Sequence, residues 1–87
     1  MNEPVKIDKL YGAAWCADCK RSRDFLDSRQ ISYNYIDIDS VAGAAEEVSK
    51  INKGYKSIPT IVFSDGSVLV EPSNNQLAEK LGLNVQA

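Results

Sequence analysis

The 87-residue sequence predicts an α/β fold, a four-stranded mixed sheet flanked by helices in the order β-α-β-α-β-β-α. Three observations carry that expectation. Runs rich in β-branched and aromatic residues alternate with segments whose apolar residues recur at helical spacing. Asp65-Gly66 separates two short apolar runs, the pattern of a tight hairpin. A chain of 87 residues has too little interior for two cores, so residues 1–87 read as a single domain.

Each element has its own justification. Val5, Ile7 and Leu10-Tyr11 form a β-rich run before Gly12, which reads as a first strand over 5–11. A helix follows from about Ala17 to Gln30, with Cys19, Ser22, Phe25 and Leu26 on one side and Lys20, Arg21, Arg23, Asp24 and Asp27 solvating the rest. Tyr33–Ile38 is aromatic and β-branched without a breaker, hence a second strand. Val41, Ala44, Ala45, Val48 and Ile51 fall on one helical face, so a second helix spans roughly 41–53 and ends at Gly54. Thr60–Ser64 is a third strand, and Ser67–Val70 returns from the hairpin as a fourth. Ser73 with Gln76 is a capping box, opening a last helix that carries Leu77 and Leu81 to Gly82. A strand–helix–strand unit makes the first strand pair parallel, and the hairpin adds two antiparallel strands. The result is a thioredoxin-type arrangement.

Composition removes several function classes. Hydrophobic residues make up 44% and charged residues 25%, enough apolar side chains for a folded core. The net charge of −2 provides no basic field, so neither nucleic acid nor an anionic membrane surface is an expected partner. Histidine is absent, which excludes Ser-His and Cys-His dyads and every zinc site built on imidazole. No run approaches the roughly 20 apolar residues of a bilayer span. The opening Met1-Asn2-Glu3-Pro4-Val5-Lys6 has no apolar core, so no secretory signal is expected and a cytoplasmic address is the default. Two cysteines are too few for a disulfide-stapled scaffold.

Their spacing carries the chemistry. Cys16 and Cys19 form a C-x-x-C at the mouth of the predicted first helix, and in a reducing compartment that reads as a redox pair. Both sulfurs share one helical face, and the spacing permits a small disulfide ring that opens and closes without refolding. A helix N-terminus offers unpaired N–H groups and the positive end of its dipole, which stabilise a thiolate, the reactive species. Cys16 is placed to feel that field, whereas Cys19 points back into the first turn and is more covered. Cys16 therefore attacks and Cys19 resolves, exchange passing through a mixed disulfide on Cys16. Asp18, inside the motif, favours the helix N-terminus but repels a thiolate; the two effects oppose and are each of order 1 kcal/mol. Lys20 and Arg21 push against Asp18. The bland alternative is a buried pair of small hydrophobes. Structural zinc needs four ligands and one C-x-x-C supplies two, so no metal is expected.

Ser57-Ile58-Pro59-Thr60 immediately precedes the third strand. Proline is tolerated at the start of a strand, which by itself explains Pro59. In a thioredoxin-type arrangement this loop lies against the C-x-x-C. A cis bond before Pro59 turns the N–H and C=O of Ile58 toward a substrate lying across Cys16.

Leu10-Tyr11-Gly12-Ala13-Ala14-Trp15-Cys16-Ala17-Asp18-Cys19-Lys20, Tyr35-Ile36-Asp37-Ile38-Asp39, Ser57-Ile58-Pro59-Thr60-Ile61-Val62-Phe63, Asp65-Gly66-Ser67 and Glu71-Pro72-Ser73-Asn74 follow one another from about Lys6 to Gly82. On these residues the chain resembles the glutaredoxins, and most closely the small bacterial glutaredoxin-like proteins called mycoredoxins. The resemblance implies a cis Pro59, Cys16 as nucleophile, and electron transfer from a low-molecular-weight thiol to protein disulfides or S-thiolated proteins. No bound cofactor is expected, and the protein is expected to be a monomer.

Departures from the family pattern narrow the thiol. Ala17-Asp18 replaces the Pro-Tyr of the usual C-P-Y-C, removing an aromatic and adding a charge. The Gly-Gly turn and Thr-Asp that contact the γ-glutamyl end of glutathione are replaced by Val70-Glu71-Pro72-Ser73-Asn74. That counts against glutathione and leaves mycothiol, or no small thiol at all. Ser73 and Asn74, at a helix N-terminus, either bind a ligand carboxylate or sugar hydroxyl or serve only as a cap. Lys50, Lys53 and Lys56 lead into the Ile58-Pro59 loop and favour an anionic substrate, Lys56 being the candidate partner of a carboxylate; the alternative is a solvated helix end. Trp15 either packs under the helix or forms an apolar platform beside Cys16 for a protein partner. Two other functions stay open. One is a thioredoxin-like donor reduced by a flavoprotein reductase and serving ribonucleotide reductase or a peroxidase. The other is a dimer bridged by an iron–sulfur cluster on two Cys16 thiolates plus two small thiols.

Overall fold

Alternation along one central strand builds both apolar layers of the structure, a computed structural model that describes residues 5–83. That strand, β1 (Ile7–Gly12), runs parallel to β2 (Asn34–Asp37) and antiparallel to β3 (Thr60–Phe63). Antiparallel β4 (Val68–Val70) completes the sheet in the order β2-β1-β3-β4. Successive side chains of a strand point to opposite faces. Leu10 and its register partner Ile61 therefore share one face, where they pack with Leu26 of α1 (Ala17–Ser28) and Leu77 and Leu81 of α3 (Asn74–Leu81). Tyr11 and Val62 share the other, packing with Ala44 and Val48 of α2 (Ala44–Ile51). Leu10, Leu26, Ile61, Leu77 and Val48 are wholly buried, each worth about 1.5–3 kcal/mol relative to exposure.

All seven expected elements form in the expected order, and two helices are shorter than expected. α2 begins at Ala44, not at 41, because Gly43 caps it at φ 82°. The Val41 N–H instead closes a turn onto the Asp37 carbonyl at 2.9 Å, which leaves Val41 49% exposed rather than on the apolar face. α2 ends at Ile51, where Lys53 (φ 57°) and Gly54 (φ 102°) reverse the chain. α1 stops at Ser28, just before Gln30 turns left-handed at φ 60°. The capping box on α3 forms as written in the sequence, Ser73 and Gln76 exchanging side chain-to-backbone bonds.

One consequence of the topology sets the site. β1 and β3 are antiparallel neighbours with Tyr11 opposite Thr60, so the loop leaving β1 and the loop entering β3 meet at the same edge. The first loop delivers Cys16 and the second delivers Ile58 and Pro59. Among the described residues no helix is long and apolar enough to cross a membrane.

Candidate active site

Cys16 is the N-cap of α1. Its backbone is extended (φ −88°, ψ 111°), and its carbonyl already accepts the first helical bond from the Lys20 N–H at 3.1 Å. Its Sγ accepts the Cys19 N–H at 3.1 Å, the position a serine or threonine oxygen takes in an ordinary cap. A sulfur thus occupies the place where a helix most needs an acceptor, facing the unpaired amides and the positive end of the dipole. The preceding loop is closed by the Cys16 N–H donating to the Ala13 carbonyl at 3.2 Å.

The two thiols are free and differ in burial. Cys16 is 9% exposed and Cys19 1%. Burial pushes the Cys19 thiol up to about 12, reinforced by its bond to Cys16 and by the charges of Cys16 and Asp18, while the Ala13 backbone pulls the other way. The space for Cys19 comes from Gly12. A Cβ at Gly12 would stand 3.1 Å from Cys19 Sγ and 3.2 Å from Tyr35 Cε1. In the sequence Gly12 marks only the end of a strand; its role depends on a contact across seven residues that no spacing rule exposes.

Opposite the thiols lies the second loop. The Ile58–Pro59 bond is cis, and the Ile58 carbonyl oxygen is 3.9 Å from Cys16 Sγ. The Ile58 side chain packs on the Ala13, Cys16 and Cys19 cluster. The Thr60 hydroxyl, Asn52 and the Glu71 N–H, none expected in this role from the sequence, brace this loop. The Thr60 hydroxyl, wholly buried, donates to the Ser57 carbonyl at 2.6 Å and accepts from Asn52 Nδ2 at 2.9 Å. The Pro59 carbonyl is held by the Glu71 N–H at 2.8 Å. Threonine after the proline was a visible signal; Asn52, the C-cap of α2, gave none.

The remaining expected residues divide. Trp15 does not pack under the helix: it is 71% exposed beside Cys16, and its Nε1–H donates to Asp39 Oδ2 at 2.7 Å. Asp18 is 56% exposed on its side chain, with Arg21 at 3.8 Å. The expectation that Lys20 offsets Asp18 is corrected, since Lys20 pairs with Asp24 at 2.8 Å one turn on. Arg21 instead clamps α1 to the start of α3, donating to Asn74 Oδ1 at 2.7 Å and the Pro72 carbonyl at 2.9 Å. Ser73 is the α3 cap and Asn74 the partner of Arg21, so both have structural work. They line an open groove of about 480 Å³ together with Arg21 and Glu71. Lys50, Lys53 and Lys56 are exposed, as is Tyr55. Among the described residues no group of three or more Cys, Asp or Glu is arranged to hold a metal ion.

Comparison with known proteins places this geometry. The family model described as Glutaredoxin matches residues 9–69. The chain belongs to the glutaredoxin family. A protein of Mycobacterium tuberculosis named "Putative glutaredoxin Rv3198A" is 38% identical over 72 residues, covering 83% of this chain and 86% of the relative. Mycoredoxin 1 of Corynebacterium glutamicum is 31% identical over 72 residues, covering 83% and 89%. Among solved structures, a thioredoxin-like protein 28% identical superposes with a TM-score of 0.74 over 87% of this chain and 100% of its own. A glutaredoxin of Archaeoglobus fulgidus, 26% identical, gives 0.68 over 87% and 83%. The glutaredoxin is thus a thiol–disulfide oxidoreductase with Cys16 and Cys19 as its C-x-x-C, of a family that acts generally on protein disulfides with a small thiol.

Proposed function

We propose that this glutaredoxin reduces protein disulfides and S-thiolated proteins in the cytoplasm with electrons from a low-molecular-weight thiol, mycothiol ahead of glutathione. Cys16 attacks as thiolate the small-thiol sulfur of a mixed disulfide. The protein thiolate leaves and is protonated, and the small thiol is carried on Cys16. Cys19 then gives up its proton, attacks the Cys16 sulfur and expels the small thiolate, leaving a Cys16–Cys19 disulfide. Two molecules of small thiol restore the dithiol and leave as their own disulfide, so no bound cofactor or metal enters.

The observation that carries the reading is the inequality of the two sulfurs. One caps a helix and accepts an amide N–H at 3.1 Å; the other is 1% exposed and pushed up to about 12. Trp15 and Asp18 flank Cys16 along the chain, and Lys56, Ser57 and Pro59 flank Ile58, which packs on Cys16; together they form the substrate surface of this reading, with the Ile58 main chain as its polar register. Ser73 and Asn74 line a groove with Arg21, which bonds to Asn74. The likeness to mycoredoxin 1 favours mycothiol, as do Asp18 and Glu71, whose carboxylates repel the two carboxylates of glutathione. A second reading, supply by a flavoprotein reductase, draws on Trp15, whose 71% exposure suits a protein partner.

One assay separates them. A protein carrying a single small-thiol mixed disulfide is incubated with the reduced enzyme and, in parallel, mycothiol, glutathione, or thioredoxin reductase with NADPH. Turnover highest with mycothiol is the expected result; turnover with the reductase alone would overturn the donor. Cys19→Ser retains release of the small thiol and loses reduction of protein disulfides.

A further inference from the structure

An indole that is 71% exposed would ordinarily turn freely, yet the Trp15 ring is held by a 2.7 Å bond to Asp39, 24 residues away in the chain. A charged acceptor makes such a bond short and directional. Asp39 itself is fixed from below. Its N–H donates to Asp37 Oδ1 at 2.8 Å, and the Ser40 and Val41 N–H groups both bond to the Asp37 carbonyl, at 3.2 and 2.9 Å. The Ile38 N–H donates to the Gly12 carbonyl at 2.9 Å, extending the β1–β2 ladder to the residue before Asp39. The same strand, β1, leads through Ala13 to Cys16. The indole and the attacking sulfur are therefore referred to one rigid frame, the sheet edge, rather than to a flexible loop.

We propose that Asp39 is a positioning residue, fixing Trp15 as one wall of the substrate cleft against which the apolar side chain beside a polypeptide's disulfide packs. The Ile58 carbonyl lies 3.9 Å from Cys16 Sγ, so a chain bound across the sulfur has a polar main-chain register available beside the aromatic surface. A ring already oriented spares the complex the cost of ordering it, and binding tightens without any change in the chemical step. The inference rests on Cys16 as the attacking thiol.

The test uses the full chain with dithiothreitol as reductant, so that the physiological donor plays no part. The substrate is a cyclic disulfide peptide with leucine beside its cysteine. Asp39→Ala raises KM three- to tenfold with kcat within twofold, and Asp39→Asn, which keeps an acceptor oxygen, recovers most of the loss. The chain has one tryptophan, so its fluorescence reports this ring alone: acrylamide quenches it more strongly in Asp39→Ala. In a Trp15→Phe background, which lacks the indole N–H, Asp39→Ala adds less than a twofold change. An equal KM loss in both backgrounds, or a loss confined to kcat, overturns the proposal. Turnover surviving Cys16→Ser would instead refute the thiol assignment beneath it, a distinct result.

Discussion

Gly12→Ala tests how the resolving thiol is accommodated. The backbone at Gly12 suits an L side chain, so the substitution gains about 0.4–1 kcal/mol from the less flexible unfolded chain. Against this, the new Cβ meets Cys19 Sγ at 3.1 Å and Tyr35 Cε1 at 3.2 Å, several tenths of an ångström too close. Cys19 is 1% exposed and has nowhere to retreat, so overpacking costs about 1–3 kcal/mol. Overpacking wins, and the reduced protein loses about 1–2 kcal/mol. Urea unfolding of the wild type, Gly12→Ala, Cys19→Ala and the double variant measures it. Removing the sulfur removes the nearest of the close contacts, so the cost of Gly12→Ala falls by about half in the Cys19→Ala background. The same cost in both backgrounds would refute the assignment of Gly12 as the space that admits Cys19.

Other expectations are independent of that one. Cys19 favours its neutral form in the fold, so the stability it contributes is complete below the ordinary value of 9.0 and disappears as pH climbs from there to about 12; Cys19→Ala lacks this decline in alkaline unfolding scans, and an identical decline would contradict it. Asn52→Ala removes a 2.9 Å bond to the buried Thr60 hydroxyl, and unfolding titrations are expected to show a loss of about 1 kcal/mol with KM raised, whereas unchanged KM would separate Asn52 from the loop. The Cys16–Cys19 couple is expected at roughly −200 to −270 mV by equilibration with glutathione or dithiothreitol; about −120 mV would mark an oxidant instead. Asp18→Tyr raises turnover of small-thiol mixed disulfides by restoring an aromatic and removing a charge, and equal or lower turnover would assign Asp18 another task.

Short-range chemistry made much of the fold legible. The Ser73 and Gln76 cap, the Asp65-Gly66 turn and the alternation of Leu10 with Tyr11 each act within a few residues and appear as written. The start of α2 was misread because apolar spacing continues back to Val41, while the chain itself is turned by Gly43 and by a bond to Asp37. In the site, C-x-x-C and the Pro59 loop were readable from motif. Their supports were not: Asp39 for Trp15, Asn52 for Thr60 and Gly12 for Cys19 are contacts that exist only after the sheet has formed. Arg21 was read as a counter-charge to Asp18, but its stronger bonds reach 51 and 53 residues along the chain.

Competition between the two sulfurs for an alkylating agent tests the central claim most directly. Burial pushes the Cys19 thiol up to about 12, so at pH 8 it is held as the neutral thiol. Reduced protein treated briefly with limiting iodoacetamide and mapped by mass spectrometry is expected to carry the label on Cys16, at least tenfold ahead of Cys19. Labelling of Cys19 at an equal or faster rate would contradict the assignment of attacker and resolver on which the mechanism stands.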